Sequence, residues 1–401
     1  MNRRNFLQLS GATSLLSTLP ILQQPARAHS QPNHPIPPHL KAYADLYRQD
    51  PLAASTKWFR EARYGLFMHY GIYSLMEEGE WVQYKHRIAQ EEYSQLTKSF
   101  TAEKFDADYI TDVALQAGMK YVTFTSRHHD SFCMFDTKYT SFNSLNTPSK
   151  RDFIGELVEQ CNQKGLGFFP YYSYGRDWRH PHAPESKPLR EMRQNGELLP
   201  LSSEQEYNMK IYEEFVNNQI TELLTNYGDI AGIWFDAPPE IIENLDTFSP
   251  QTTYDLIKKL QPHALISSKW GITGTEGFYA PEFHQFFGFY SSMDQDIPTE
   301  ICDNLGSGWG WMKKYKCRGI KHLERSLAHA QFWDSNLLLN TGPRPDGSLF
   351  PDDVRVLLEM GQRLQSDGFP QPRNYLEHMK ERQKTVLLDK CLQIRAQRQG
   401  S

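Results

Sequence analysis

The chain has 401 residues, 39% of them hydrophobic, which is enough for one large α/β barrel or two medium domains. Its net charge of −5, with no basic stripe, offers no footprint for nucleic acid, and beyond the first few dozen residues no apolar run is long enough to cross a bilayer. Aromatic residues make up 13%, with 21 Tyr and 8 Trp, a surplus that suits an aromatic-lined barrel or a carbohydrate cleft.

Residues 1–28 read as an export leader. Arg3-Arg4-Asn5-Phe6-Leu7 is a twin-arginine pattern, Leu9–Leu22 is modestly apolar, and Ala26-Arg27-Ala28 is a small-x-small cleavage site. The reading implies an exported protein, periplasmic or secreted. Residues 29–50, with Pro32, Pro35, Pro37 and Pro38, read as a Pro-rich linker. The five cysteines are scattered without C-x-x-C spacing, which excludes zinc-finger and thioredoxin readings.

From residue 51 to about 370, apolar strand-length runs alternate with amphipathic helical ones. Strands are expected at Tyr64–Gly71, Tyr121–Ser126, Leu166–Tyr172, Ile230–Asp236, Ala264–Lys269 and Ser335–Asn340. Helices are expected at Asp108–Ala117, Asp152–Lys164, Glu204–Tyr227, Thr252–Leu260 and Asp352–Leu364. The Gly- and aromatic-rich stretch Gly271–Cys317 gives no clear strand. Such repeats with right-handed crossovers predict a (β/α)8-like TIM barrel. A doubly wound sheet would want a glycine-rich phosphate loop after the first strand, and none is present. Residues 371–401 read as a helical tail, with Leu376–Arg395 amphipathic.

The fourth strand, I-A-G-I-W-F-D, ends in Asp236, and Pro238-Pro239 stop its continuation. A carboxylate at the C-terminal lip of a barrel strand stands where barrel chemistry gathers. Polar residues at other strand ends converge on the same mouth: His69, His128, His129, Tyr171 or Tyr172, and Lys269. Regular pairing would send His128 and His129 to opposite faces; a bulge would let both reach the cleft. Three histidines and two acids could ligate zinc, although no H-x-H pair follows the first strand and no H-E-x-x-H occurs. Neutral imidazoles also suit hydrogen-bonding to sugar hydroxyls.

Several segments resemble the α-L-fucosidases of glycoside hydrolase family 29. They are G-L-F-M-H-Y-G at Gly65–Gly71, G-E-W at Gly79–Trp81, R-H-H-D-S-F at Arg127–Phe132 and F-D-T-K-Y-T at Phe135–Thr140. Further along come Y-Y-S at Tyr171–Ser173, W-F-D at Trp234–Asp236, W-G-W at Trp309–Trp311 and N-L-L-L-N-T-G-P-R-P-D-G at Asn336–Gly347. The resemblance implies a retaining exo-glycosidase that releases terminal α-L-fucose from fucosylated glycans without a cofactor. It makes Asp236 the nucleophile. For the acid/base it leaves Glu300, in P-T-E-I-C, as first candidate and Glu282, in A-P-E-F, as second.

His69, His128, His129, Tyr171, Tyr172, Trp81 and Trp309 would bind the sugar, and Glu80 would bind or support it. Lys269 would keep Asp236 ionised. Two departures from the family pattern stand out: Ala237-Pro238 after the nucleophile, and Ser131 where glycine is common. The β-sandwich that many relatives carry after the barrel is not apparent here. The sequence leaves two further readings open, a non-catalytic sugar-binding barrel and a glycosidase for a related sugar such as an α-L-galactoside.

Overall fold

In the computed structural model the described residues are 35–185, 187–198, 206–236, 238–269, 271–282 and 296–371. The expected leader and most of the expected C-terminal helical tail lie outside them. Eight parallel strands form the centre: β1 (Tyr64–Met68), β2 (Tyr121–Arg127), β3 (Gly167–Ser173), β4 (Gly232–Asp236), β5 (Leu265–Ser268), β6 (Phe278–Tyr279), β7 (Glu300–Asn304) and β8 (Asn336–Thr341). Pairing runs β6-β5-β4-β3-β2-β1-β8-β7. Single parallel bridges Tyr279↔Thr299 and Glu282↔Cys302 span the seam between β6 and β7, so the sheet curls into the (β/α)8 barrel that the alternation predicts.

One long helix precedes β1 and the others follow strands. They are α1 (Pro51–Ala62), α2 (Ala107–Gln116), α3 (Phe153–Lys164), α4 (Lys187–Gln194), α5 (Met209–Thr225), α6 (Pro250–Leu260), α7 (Ile320–Phe332) and α8 (Pro351–Asp367). Asp50, Asp106 and Asp152 cap α1, α2 and α3 by accepting from Ala53 N, Tyr109 N and Gly155 N at 2.9, 3.0 and 2.9 Å. Gly165 closes α3 at φ 71°, a left-handed conformation that favours glycine.

Side-chain alternation along the strands builds two cores. Leu66, Met68, Phe168, Tyr172, Ile233, Phe235, Leu337 and Leu339 point to the helix layer. Phe67, Phe169, Tyr171, Trp234, Leu265 and Leu338 point into the barrel. Gly232 is required by crowding on that inner side, since a Cβ there would stand 2.2 Å from the Leu265 carbonyl oxygen.

The expected linker at residues 29–50 is corrected over its second half. A 3₁₀ turn, Pro38–Tyr43, and a short helix, Ala44–Gln49, occupy it, and Leu40 and Tyr47 join the inner core. Pro38 starts the turn because the first helical position needs no N–H. With Trp58 and Phe59 of α1 these residues close the N-terminal end of the barrel; Trp58 stacks on Phe169 at 6.3 Å between ring centres. Pro238 and Pro239 likewise end β4 and open a short helix, Pro238–Ile242. The stretch that shows no strand in sequence holds β6 and β7. Two residues of β6 are too few for a periodic signal, and the polar β7 reads E-I-C-D-N.

Candidate active site

Asp236 follows the inward-facing Trp234 by two residues, so its carboxylate stands on the inner side of the barrel at the C-terminal lip of β4. Side chains of three strands or their ends address it. The Tyr171 hydroxyl donates to Oδ2 at 2.6 Å, Lys269 Nζ lies 3.0 Å from Oδ1, and His129 Nε2 lies 3.7 Å from Oδ2. Lys269 Nζ is also 2.6 Å from Glu282 Oε1, just beyond β6. One ammonium therefore joins two carboxylates, and these contacts hold an oxygen of each within about 5.6 Å of the other. Burial would depress the Lys269 ammonium, but the two carboxylates outweigh it and hold the group charged well above the usual lysine range.

Both histidines after β2 reach the mouth. The β2–β3 register shifts between Thr125 and Arg127, and this irregularity replaces strict alternation just before His128. His128 lies flat against Tyr171, with ring centres 5.4 Å apart, and stands 5.6 Å from His69. His129 packs against Trp81 at 5.1 Å.

The shift is anchored by Arg127, whose guanidinium is fully buried against Asp177, the Ser173 carbonyl and the Tyr212 hydroxyl, with the Tyr172 ring 4.3 Å away. Ser131, at the position noted for its missing glycine, has φ 70°. That left-handed conformation costs a side chain about 1 kcal/mol. Its hydroxyl donates to Asp177 at 2.9 Å, an attachment glycine could not make.

Hydrogen bonding assigns the tautomers of two histidines. The Asn340 amide NH2 donates to Asn304 Oδ1 and to the Trp309 carbonyl, both at 2.8 Å, so its oxygen accepts from His69 Nδ1 at 2.8 Å. The Ser173 hydroxyl donates to the Arg176 carbonyl at 2.6 Å and therefore accepts from His129 Nδ1 at 2.5 Å. Nε2 of each ring is then an acceptor. Burial pushes His69 down to about 4 and holds His128 and His129 well below the usual histidine range, neighbouring imidazoles adding to the effect. All three are neutral near pH 7.

Of the expected site residues, the structure gathers His69, His128, His129, Tyr171, Asp236, Lys269, Glu282, Trp81 and Trp309. Trp309 stands 5.2 Å from His69 between ring centres. Glu80 lies behind them, accepting from Gly310 N at 2.8 Å and so holding the Trp309–Trp311 loop; burial raises its carboxyl.

Two residues are not brought in. Tyr172 points to the helix layer and donates to Gln219 at 2.7 Å, because neighbouring strand residues face opposite sides. Glu300, the first candidate for the acid/base, opens β7 instead of closing it. It lies about 13 Å along the strand from the C-terminal lip. Tyr121 and Trp234 donate to its two oxygens at 2.5 and 2.8 Å, and it is fully buried.

Arg176 went unread in the sequence. It pairs with Glu240, lies over the Trp81 ring at 5.0 Å, and stands 3.4 Å from His129 Nε2. Its place three residues after β3 is the signal that could have marked it. Among the described residues no three His, Cys, Asp or Glu side chains are grouped as metal ligands.

A family model described as Alpha-L-fucosidase matches residues 40–369. The plasma alpha-L-fucosidase of Pongo abelii is 25% identical over 78% of this chain and 68% of its own length, and the alpha-L-fucosidase of Branchiostoma floridae 26% over 81% and 73%. Among solved structures, alpha-L-fucosidase isoenzyme 1 from Paenibacillus thiaminolyticus superposes with a TM-score of 0.70 at 29% identity, over 79% of this chain and 77% of that one. The alpha-L-fucosidase of Lactobacillus casei, solved in complex with its alpha-L-fucose product, gives 0.67 at 29% identity, over 78% of this chain and 98% of that one.

Proposed function

The chain belongs to the α-L-fucosidase family, and from that premise we propose that it is a retaining exo-α-L-fucosidase with Asp236 as nucleophile and Glu282 as acid/base. The observation that carries the assignment is the shared ammonium of Lys269, with one carboxylate on either side. An oxygen of each lies no more than about 5.6 Å from the other, which is compatible with the roughly 5–5.5 Å between carboxyl groups that a double displacement needs.

In the first step Asp236 attacks the anomeric carbon, the glycosidic C–O bond breaks, and protonated Glu282 gives its proton to the departing oxygen. Once Asp236 has become a fucosyl ester, the Glu282 carboxylate left by the first step removes a proton from the incoming water. Water adds to the anomeric carbon, the ester bond breaks, and fucose leaves with its original configuration. Nε2 of His69 and of His129 accept from sugar hydroxyls, while Trp81 and Trp309 cover apolar edges.

The substrate is a fucosylated oligosaccharide or glycoconjugate. Arg3-Arg4 and Ala26-Arg27-Ala28 support export to the periplasm or beyond.

The test is hydrolysis of an aryl α-L-fucoside followed by proton NMR from the first turnover. Retention predicts α-fucose as the first anomer. β-Fucose first, or no release of the aryl group by folded protein, would overturn the reading.

A further inference from the structure

Between β3 and α5 the chain builds an insertion on the rim of the barrel mouth. It has a small core of its own, Trp178, Leu189, Met192 and Leu198, closed by Trp81 and Tyr84. Trp178 packs on Trp81 at 5.3 Å and on His129 at 5.5 Å, so one side of the insertion is a wall of the candidate active site.

Away from that core, the insertion and Asn244, from the loop after β4, line a cavity of about 400 Å³. Arg190 and Arg193 enter it from one face of α4, three residues apart. Arg193 is paired with Glu185. Arg190 is exposed and makes no ion pair among the described residues. Tyr207 is 47% exposed in the same lining, its hydroxyl tied to the Ala183 carbonyl at 3.0 Å. Among the described residues the lining carries one more positive than negative side chain, although the whole chain is acidic.

Contacts connect this cavity to the catalytic carboxylate. Asn244 donates to the Glu240 carbonyl at 2.7 Å, the Glu240 carboxylate binds Arg176, and Arg176 lies 3.4 Å from His129, beside Asp236. An exo-acting site takes the terminal sugar, so whatever lies further along the rim belongs to the leaving glycan.

We propose that this cavity is a subsite for an anionic sugar of the leaving glycan, a residue bearing a carboxylate or a sulfate ester that pairs with Arg190 and lies against Tyr207. The proposal rests on the fucosidase reading for what enters the mouth. A pyranose face on an exposed aromatic ring and a guanidinium on an oxyanion are both interactions these side chains make readily.

The experiment compares the full chain with Arg190→Ala and Tyr207→Ala on four substrates. These are an aryl α-L-fucoside, a neutral fucosylated trisaccharide, and that trisaccharide extended by a carboxylate sugar or carrying a sulfate ester. The aryl fucoside is expected to react equally well with all three proteins. For the anionic glycans, kcat/KM should fall about tenfold in Arg190→Ala, and the preference over the neutral glycan should shrink with added salt. A fall confined to one anionic glycan supports the subsite and names the anion.

Equal kcat/KM for neutral and anionic glycans in the unmutated chain, or no change in Arg190→Ala, overturns it. If the unmutated chain leaves the aryl fucoside intact, the catalytic reading fails by itself. Calorimetric titration with the two anionic glycans then decides the subsite, tighter binding than to Arg190→Ala supporting it and equal binding overturning it.

Discussion

Lys269 stands between Asp236 and Glu282, its ammonium 3.0 Å from an oxygen of the first and 2.6 Å from an oxygen of the second. Replacing it with Met leaves two carboxylates facing each other without their cation. Removing a positive charge raises carboxylate pKa values, so the ionised nucleophile is lost at higher pH. We predict that the acid limb of the kcat/KM profile moves up by about one pH unit in Lys269→Met, with kcat down about 100-fold, and that Lys269→Arg retains most of both. An unmoved acid limb would separate Lys269 from the chemistry.

The Tyr171 hydroxyl donates to Asp236 at 2.6 Å. A hydrogen bond to a charged group contributes about 1.5–3 kcal/mol, so Tyr171→Phe should lower kcat by roughly 10- to 100-fold while Tm changes little. Tyr172→Phe, which breaks the 2.7 Å bond to Gln219 on the helix side, should do the reverse: Tm falls and kcat holds. Steady-state kinetics and thermal melts on the two variants distinguish the faces of β3.

Glu300 offers a pH test of its buried place. Burial raises its carboxyl to about 7, hydrogen bonds from Tyr121 and Trp234 offsetting only part of the effect. Below the ordinary value near 4.5 the group is protonated in both folded and unfolded chains. Between there and about 7 the unfolded chain releases its proton first, so stability falls as pH rises, and the loss is complete above that. The size is on the order of 3 kcal/mol. Glu300→Gln should flatten this part of the Tm–pH curve and change aryl fucoside turnover only a few-fold. A selective loss with poor leaving groups in Glu300→Gln, and none in Glu282→Gln, would return the acid/base role to Glu300.

Arg127 and Asp177 form an ion pair with no solvent exposure at either side chain. Removing one partner strands the other charge, which costs about 3–5 kcal/mol. Asp177→Asn is therefore expected to lower Tm markedly. It should also weaken activity at temperatures where it stays folded, because the same pair anchors the register shift that turns His128 and His129 to the mouth. Urea melts and kinetics on one preparation check both effects.

Much of this arrangement could be read before any coordinates, for reasons that differ by residue. The strands that carry Asp236, His69 and Tyr171 are unbroken apolar runs bounded by glycine and proline, so their ends, and the carboxylate on one lip, were legible. The two strands that escaped are the ones without such a run: β6 has two residues, and β7 begins with Glu300 and ends in Asp303-Asn304. Without β7 in view Glu300 ranks as the first acid/base candidate, since a carboxyl at the start of a strand and one at its end read alike. Tyr171 and Tyr172 could be separated only by the phase of β3. Arg176 and Asn340 act through partners distant in the chain, Glu240 and His69, that no local pattern links to them.

Covalent bonding of Asp236 to the sugar is measured most directly by azide rescue of Asp236→Ala on an aryl α-L-fucoside. The vacated space should admit azide on the face opposite the leaving group. Turnover is expected to fall about 10³-fold or more without azide and to be partly restored with it, with β-fucosyl azide as the product. Undiminished turnover in Asp236→Ala, or rescue giving the α-azide, would contradict it.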